Sequence, residues 1–216
     1  MISNNFKKRI STAIALLISV LLMFKFYTIL LFSLIVLGVL SLLEFIALSK
    51  KIFQNKLYLF FFNISFIIFI FSYCFMFFFF SSIMQLKIIM FTLLLGCIFS
   101  DLGGFIFGKI FKGPKLTKIS PNKTIIGAAG SLLMSSSIIT IIAFYFTDNF
   151  NYKIFVIGLV TSISCQIGDL FFSYIKRKAK VKDTGNFLPG HGGILDRLDG
   201  IFFGIPLGFI ALLLLY

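Results

Sequence analysis

The chain consists of long apolar runs separated by short polar segments that carry most of its charge. A transmembrane helix needs about 20 predominantly apolar residues, and seven runs approach or exceed that length. The runs are continuous rather than alternating, which predicts helices and not the strands of a membrane barrel. The predicted spans are residues 10–24, 26–48, 57–80, 83–107, 124–147, 151–175 and 193–216.

Two of these runs allow a second interpretation. The first has a basic start followed by an apolar stretch, as in a signal peptide, but no small-x-small cleavage site precedes the next run. It is therefore interpreted as the first transmembrane helix. The Phe-rich run 57–80 leaves open a tight re-entrant pair in place of a single span.

Composition supports a membrane protein. Hydrophobic residues make up 59% of the 216 residues, charged residues 12%, and the mean hydropathy is +1.08. The predicted class is an all-α, polytopic integral membrane protein with about seven transmembrane helices. Cys74, Cys97 and Cys165 lie in apolar runs without metal-ligand spacing, so they are predicted to be small core residues and not disulfide or zinc ligands.

The basic residues orient the predicted helices. If the N-terminus is cytoplasmic and the spans alternate, 17 of the 20 lysines and arginines fall on the cytoplasmic side. Only Lys25, Lys87 and Lys153 remain outside, as the positive-inside rule predicts. The net charge of +13 is thus mainly topological and does not indicate nucleic acid binding. The same basic face can also meet anionic lipids and nucleotides.

The acidic residues are not explained by topology, since Asp and Glu contribute little to orientation. Six of the seven map to the cytoplasmic side, and only Asp148 lies on the other side. Asp169 precedes Lys176 by seven residues, about 10 Å along a helix. A carboxylate at that depth costs a few kcal/mol unless it is paired or faces a polar cavity. Asp169 is therefore either a structural partner of a lysine or a ligand for a cation.

Asp196 and Asp199 form a second acidic feature in the segment "GGILDRLDG". If this segment opens the last helix, both carboxylates share one helical face. One acid would suffice to stabilise the helix dipole, so two favour a magnesium or double-cation site. Such a site would be shared with substrate phosphates, and Gly192 and Gly193 free the backbone beside it.

The segment 107–127 carries five lysines together with Ser120 and Thr124. A loop of this kind can surround phosphates, although it lacks the Walker A pattern. Gly104 and Gly108 form a GxxxG motif, which in a membrane helix favours a packing face. His191 is the only histidine, and its position is compatible with a loop hydrogen bond or with catalysis.

Residues 173–199, "SYIKRKAKVKDTGNFLPGHGGILDRLD", resemble the signature of the phosphatidate cytidylyltransferases, the CDP-diglyceride synthases. Supporting matches are "SDLGGFIFGKIF", "KLTKISPNKT" and "SCQIGDL", and Glu44 stands where that family often has a glutamate near an aromatic. Ile126 and Phe172 replace glutamates that are usual in the family, and "DLGGF" replaces its "DTGAY"-like segment. The resemblance predicts N-terminal scaffold helices in residues 1–99 and a catalytic half in residues 100–216.

The resemblance implies transfer of a cytidylyl group from CTP to phosphatidate, giving CDP-diacylglycerol and pyrophosphate. It implies Mg²⁺ held by Asp169, Asp196 and Asp199, and leaves open a second cation, K⁺ or Mg²⁺. The implied catalytic set is Asp169, Asp196, Asp199, Lys182, Asp183 and His191. The implied substrate-binding set is Asp101, Ser120, Lys123, Thr124, Lys176, Arg177, Gly192, Gly193 and Arg197. A homodimer in the cell inner (cytoplasmic) membrane, with the N-terminus and active site facing the cytoplasm, is also expected.

Three other classes are weighed against this interpretation. A CTP-dependent polyprenol or phytol kinase is distantly similar, but it would need a base for the lipid hydroxyl. A CDP-alcohol phosphotransferase would show a spaced Asp-Gly, Asp, Asp pattern that "DRLDG" does not satisfy. A transporter would show paired broken helices in two halves, and the sequence has none.

Overall fold

The computed structural model describes residues 4–185, 187 and 192–216, and in the first helix it describes the side chains of Thr12 and of residues 14–25. The described residues form eight helices. These are α1 (Asn4–Lys25), α2 (Tyr27–Ile52), α3 (Lys56–Phe80), α4 (Met84–Phe111), α5 (Ile125–Thr147), α6 (Tyr152–Lys178), α7 (Leu195–Leu198) and α8 (Ile201–Leu215).

The all-α membrane class is confirmed. Six helical stretches are long and apolar enough to cross a membrane. The remaining predicted run, the first, corresponds to the shorter apolar part of α1, Ile14–Lys25. Helices α2 to α6 begin and end within a few residues of the predicted spans. The run 57–80 is the single continuous helix α3 and not a re-entrant pair.

The last predicted span is interrupted. Helix α7 ends at Leu198 and α8 begins at Ile201, so the segment does not open one continuous helix, which was the condition for Asp196 and Asp199 to share one helical face. Asp199 lies in the break, where its carboxylate accepts a hydrogen bond from the N–H of Gly200 at 2.9 Å. A local side-chain bond of this kind competes with helix continuation.

The chain divides into two compact units, which do not follow the predicted division at residue 99. Unit one comprises residues 1–87 and 175–198, and unit two comprises residues 88–174 and 199–216. The predicted division was one of function, scaffold against catalysis, and it stays a prediction.

Unit one is built on the packing of α2 against α3. Phe45 of α2 stacks on Phe62 and Phe66 of α3, and Gly38 allows close approach to Ile70. The opposite face of α3 exposes phenylalanines, which in a bilayer meet lipid and carry no penalty.

Unit two is packed through small residues. In α4, Gly104 and Gly108 face Ser131 and Gly127 of α5, so closely that a Cβ at Gly104 would lie 2.7 Å from the Ser131 hydroxyl. The GxxxG motif is thereby confirmed as a packing face, because only small residues let membrane helices approach in this way. Cys97 and Cys165 are buried free thiols in this unit, as predicted for small core residues.

Candidate functional site

The polar centre of unit one begins with Glu44, a glutamate buried on α2 with 3% of its surface exposed. Its Oε1 accepts a hydrogen bond from the N–H of Ile194 at 2.9 Å, and its Oε2 accepts one from the N–H of Leu195 at 2.9 Å. These N–H groups lie at the start of α7, where no intrahelical acceptor exists for them. The Glu44 carboxylate therefore fixes the start of α7 by binding the backbone of α7.

Thr184 connects Glu44 with Asp196. Its hydroxyl lies 2.6 Å from Oε2 of Glu44 and 3.0 Å from Oδ2 of Asp196, and its backbone N–H donates to Oδ2 of Asp196 at 2.9 Å. A threonine hydroxyl has one hydrogen to donate, so it serves one carboxylate at a time. The shorter contact is the one with Glu44.

Asp196 is held from three directions. Besides the Thr184 N–H, its Oδ2 accepts from the N–H of Gly193 at 3.0 Å, while Oδ1 accepts from Nζ of Lys176 at 2.7 Å. The lysine and aspartate side chains are only 12% and 8% exposed. Charge-assisted bonds of this kind are about twice as strong as neutral ones, so the Asp196 carboxylate is well ordered.

Two glycines make this geometry possible. Gly192 has φ +83°, a left-handed conformation that side chains other than glycine rarely adopt. At Gly193 a Cβ would collide with the Thr184 hydroxyl and with Oε2 of Glu44. Both glycines therefore let the backbone lie close to the Asp196 and Glu44 carboxylates, and their predicted part in substrate binding stays a prediction.

The polar centre of unit two is the ion pair of Lys123 and Asp169, in which Nζ lies 2.5 Å from Oδ2. Lys123 ends the lysine-rich loop and Asp169 lies on α6, so a contact across 46 residues brings together two predicted site residues. The side chains are 30% and 17% exposed. The structural alternative considered for Asp169, pairing with a lysine, is thus present, and a cation ligand at the same oxygen stays a prediction.

Further acids of unit two lie near the same part of α6. Asp101 of α4 has Oδ1 at 3.9 Å from the Cys165 thiol, and a Cβ on Gly200 would lie 3.1 Å from Oδ1 of Asp169. Asp199 is buried and follows α7 directly. Gly200 is needed here because a larger residue would meet Cys165 and Asp169.

The lysine-rich loop folds as a short hairpin. Lys115 and Thr124 form an antiparallel bridge, and the Leu116 N–H donates to the carbonyl of Lys123 at 2.8 Å. The hydroxyl of Thr124 caps α5 by accepting from the N–H of Gly127 at 3.0 Å, and the carbonyl of Ser120 accepts from the Lys123 N–H. The hairpin therefore fixes the backbone from which Lys123 reaches Asp169.

The remaining predicted residues are placed as follows. Arg177, Lys182, Asp183 and Arg197 are exposed, whereas Gly192 is half-buried and Gly193 buried. His191 lies outside the described residues, so its predicted role is neither supported nor contradicted. No three His, Cys, Asp or Glu side chains among the described residues come together as an evident metal-binding group.

Glu44 and Thr184 belong to the polar centre of unit one but are absent from the predicted site set. The signal for Glu44 was in the sequence, since it is the only ionisable residue between Tyr27 and Ser49 of α2. A charged residue within a membrane helix is a functional candidate by default. Thr184 carried no comparable signal, because its neighbours are distant along the chain.

Comparison with known proteins identifies the class. Residues 2–215 match the cytidylyltransferase family, and the chain belongs to that family. Among its relatives, a protein of Staphylococcus haemolyticus named phosphatidate cytidylyltransferase is 49% identical over 112 residues, covering 50% of this chain and 42% of the relative. Proteins of the same name from Rickettsia bellii and Mycobacterium leprae are 39% and 38% identical, covering 50% and 52% of this chain and 51% and 36% of their own lengths. The matched part thus spans about half, or less, of these relatives.

Proposed function

We propose that the protein transfers the cytidylyl group of CTP to phosphatidate, releasing pyrophosphate and forming CDP-diacylglycerol for phospholipid synthesis. The observation that carries this proposal is the family match over residues 2–215, combined with relatives that share the name phosphatidate cytidylyltransferase. The polytopic fold suits a reaction in which one substrate is a lipid.

The chemistry of this reaction agrees with the side chains of both units. An oxygen of the phosphatidate phosphate bonds to the α-phosphorus of CTP, and the bond from that phosphorus to the β-phosphate oxygen breaks. The attacking oxygen is already anionic, so no base is required. The protein must align the two phosphates and offset their repulsion. Lys123, Lys176, Arg177, Lys182 and Arg197 supply the positive charge for that task.

Magnesium is part of the proposal. Mg²⁺ prefers carboxylate oxygens. Oδ2 of Asp169 and Oδ1 of Asp196 each bind a lysine ammonium, so each of these oxygens already accepts a positively charged partner. This donor chemistry fits the ion, with Asp169, Asp196 and Asp199 as its candidate ligands and K⁺ or a second Mg²⁺ as a further cation. When bound, the cation would neutralise charge on the transferred phosphate.

We further propose a homodimer in the cell inner (cytoplasmic) membrane with the N-terminus and active site on the cytoplasmic side. The charge distribution supports this orientation. Cysteine-accessibility labelling should find residues 112–120 and 178–190 on the cytoplasmic side and residue 149 on the other. Labelling of residues 149 and 185 from the same side would exclude the orientation, and a monomeric mass in nanodiscs would exclude the dimer.

Incubation of purified protein with labelled CTP and phosphatidate tests the activity. Labelled cytidine should appear on the lipid only when magnesium is present. Transfer of the γ-phosphate of CTP to polyprenol or phytol, without cytidine on any lipid, would instead assign the kinase activity.

A further inference from the structure

Glu44 is a buried acid to which the proposed reaction assigns no part. It lies in the apolar helix α2, with 3% of its surface exposed. Burying a carboxylate is costly unless hydrogen bonds satisfy it. Its position therefore requires partners strong enough to offset that cost.

All three of its hydrogen-bond donors come from one distant segment. Oε1 accepts from the Ile194 N–H, and Oε2 accepts from the Leu195 N–H and the Thr184 hydroxyl. The partners are 140 to 151 residues away along the chain. One side chain of α2 thus binds residues 184, 194 and 195, and we call the described residues 184, 185 and 192–195 the signature segment.

The hydrogen bonds of Asp196 show a different use of a carboxylate. Its Oδ2 is occupied by the backbone N–H groups of Thr184 and Gly193, while Oδ1 contacts the ammonium of Lys176. A lysine side chain can move and leave that oxygen to another cation. Both oxygens of Glu44 are instead held by groups of the segment itself.

The glycines of the signature segment supply a second, independent observation. A Cβ at Gly185 would lie 2.7 Å from Oε1 of Glu44, and a Cβ at Gly193 would collide with its Oε2. At positions 185 and 193, therefore, only glycine leaves enough room for the Glu44 carboxylate.

We propose that Glu44 is a positioning residue that holds the signature segment, and through it presents Asp196 and Lys176 to the substrates. The inference rests on the proposed function for its catalytic consequence. Glu44 acts through Thr184 and the start of α7, and its own oxygens remain bound to the protein.

The test replaces the acid by its amide in the full-length protein. Glu44→Gln keeps the size, but its amide nitrogen cannot accept, so at least one buried donor loses its partner. Because an unsatisfied buried group weakens local structure substantially, trypsin should cut after the exposed Lys180 and Lys182 about tenfold faster. Cutting after Lys118, an exposed lysine of unit two, should not change and serves as the internal reference.

Activity gives the second readout. Glu44→Gln should lower kcat for cytidylyl transfer by at least about tenfold while the KM for CTP changes much less, since a positioning residue binds no substrate. General destabilisation would instead reduce the fraction of active protein and raise cutting at Lys118 as well.

Matched variants keep the test decisive. Ser41→Ala removes a buried hydroxyl of the same helix that has no hydrogen-bond partner in the described part of the chain, and it should leave both readouts unchanged. If Glu44→Gln cannot be purified, Thr184→Val and Thr184→Ser take its place. Valine should raise cutting after Lys180 and Lys182, and serine, which keeps the hydroxyl, should not.

The failures of the two proposals are distinguishable. Unchanged cutting after Lys180 and Lys182, which lie just before the segment, in Glu44→Gln, or equal cutting there in Thr184→Val and Thr184→Ser, overturns the positioning role whatever happens to activity. A parent protein that forms no CDP-diacylglycerol overturns the proposed function, and with it the catalytic part of this inference. The cutting ratio, measured without substrate, still decides whether Glu44 holds the segment.

Discussion

The two units each contain a carboxylate paired with a lysine, and the pairs are built differently. In unit one, Lys176 and Asp196 are 12% and 8% exposed, and two backbone N–H groups also bind the carboxylate. In unit two, Lys123 and Asp169 are 30% and 17% exposed, and the hydrogen bond described for the Asp169 carboxylate comes from the lysine itself. The first carboxylate is fixed by the backbone, and the second depends on a side chain.

The difference separates two tasks that the proposed reaction requires. A carboxylate ordered by backbone donors keeps its geometry when its lysine moves, which suits a fixed ligand. A more exposed pair that depends on one ammonium can exchange that ammonium for a metal ion. In the proposed reaction, Lys123 would then meet a phosphate of CTP.

The largest effect should come from removing the charge of either carboxylate. Asp169→Asn and Asp196→Asn keep the side-chain size but weaken a metal ligand. Turnover should fall by more than about 100-fold, since replacing even a residue that hydrogen-bonds to a metal ligand lowers activity by about 10–100-fold. Activity measured against magnesium concentration in detergent is the test. Parental turnover in both variants would make these carboxylates structural.

The matched control for this prediction is Asp148→Asn. Asp148 caps the C-terminal end of α5 with φ +51°, a left-handed conformation that asparagine adopts readily. The variant should therefore behave like the parent in both activity and stability. A loss of activity there would show that Asp→Asn changes disturb this fold irrespective of site.

The next effect concerns Lys123→Met, which removes the ammonium and keeps the apolar stem. A bond to a charged group contributes about 1.5–3 kcal/mol, so the KM for CTP should rise at least about tenfold if Lys123 binds a phosphate. Magnesium should also bind several-fold more tightly without nucleotide, because the competing ammonium is gone. Steady-state kinetics measures the KM, and titration calorimetry measures the magnesium affinity.

The Lys123→Met result has two informative failures. An unchanged KM would return the loop to a purely topological role. Unchanged magnesium affinity would show that Lys123 does not compete for the Asp169 carboxylate.

The two lysines should differ in how much they contribute to stability. Lys176→Met leaves a nearly buried carboxylate without its cation, and a cost of about 3 kcal/mol would lower the melting temperature by about 6–12 °C. Lys123→Met should lower it by less than about 2 °C, because a more exposed pair contributes little. Thermal unfolding in one detergent compares them, and equal shifts would contradict the difference in construction.

The helices of this fold were predictable because the bilayer demands a simple pattern. Continuous apolar runs leave the backbone no acceptor except within a helix, so the bounds of α2 to α6 follow closely from the sequence. The break after Leu198 was not predictable from periodicity. At the break the Asp199 carboxylate accepts from the N–H of Gly200, and a Cβ at Gly200 would meet Cys165 and Asp169, which are distant in sequence.

The site was predictable in its charges and not in its connections. Asp169 and Asp196 were recognisable as acids near a membrane surface, and the ion pair with a lysine was one of the weighed alternatives for Asp169. The pairings of Lys123 with Asp169 and of Glu44 with Thr184 span 46 and 140 residues. No local pattern determines contacts of that separation.

The smallest expected effect concerns Thr124. The family resemblance predicts that this residue binds substrate, and in the structure it caps α5. Its hydroxyl accepts from the Gly127 N–H at 3.0 Å, and losing such a cap costs about 1 kcal/mol. Thr124→Ala should therefore lower the melting temperature by about 2–4 °C, and Thr124→Ser, which keeps the hydroxyl, should restore it. The KM for CTP should stay within about twofold of the parent in both variants, well below the effect of losing a hydrogen bond to a charged phosphate. A tenfold rise of that KM in Thr124→Ala, reversed by serine, would instead place the hydroxyl on the nucleotide and make unit two's hairpin a direct substrate contact beyond Lys123.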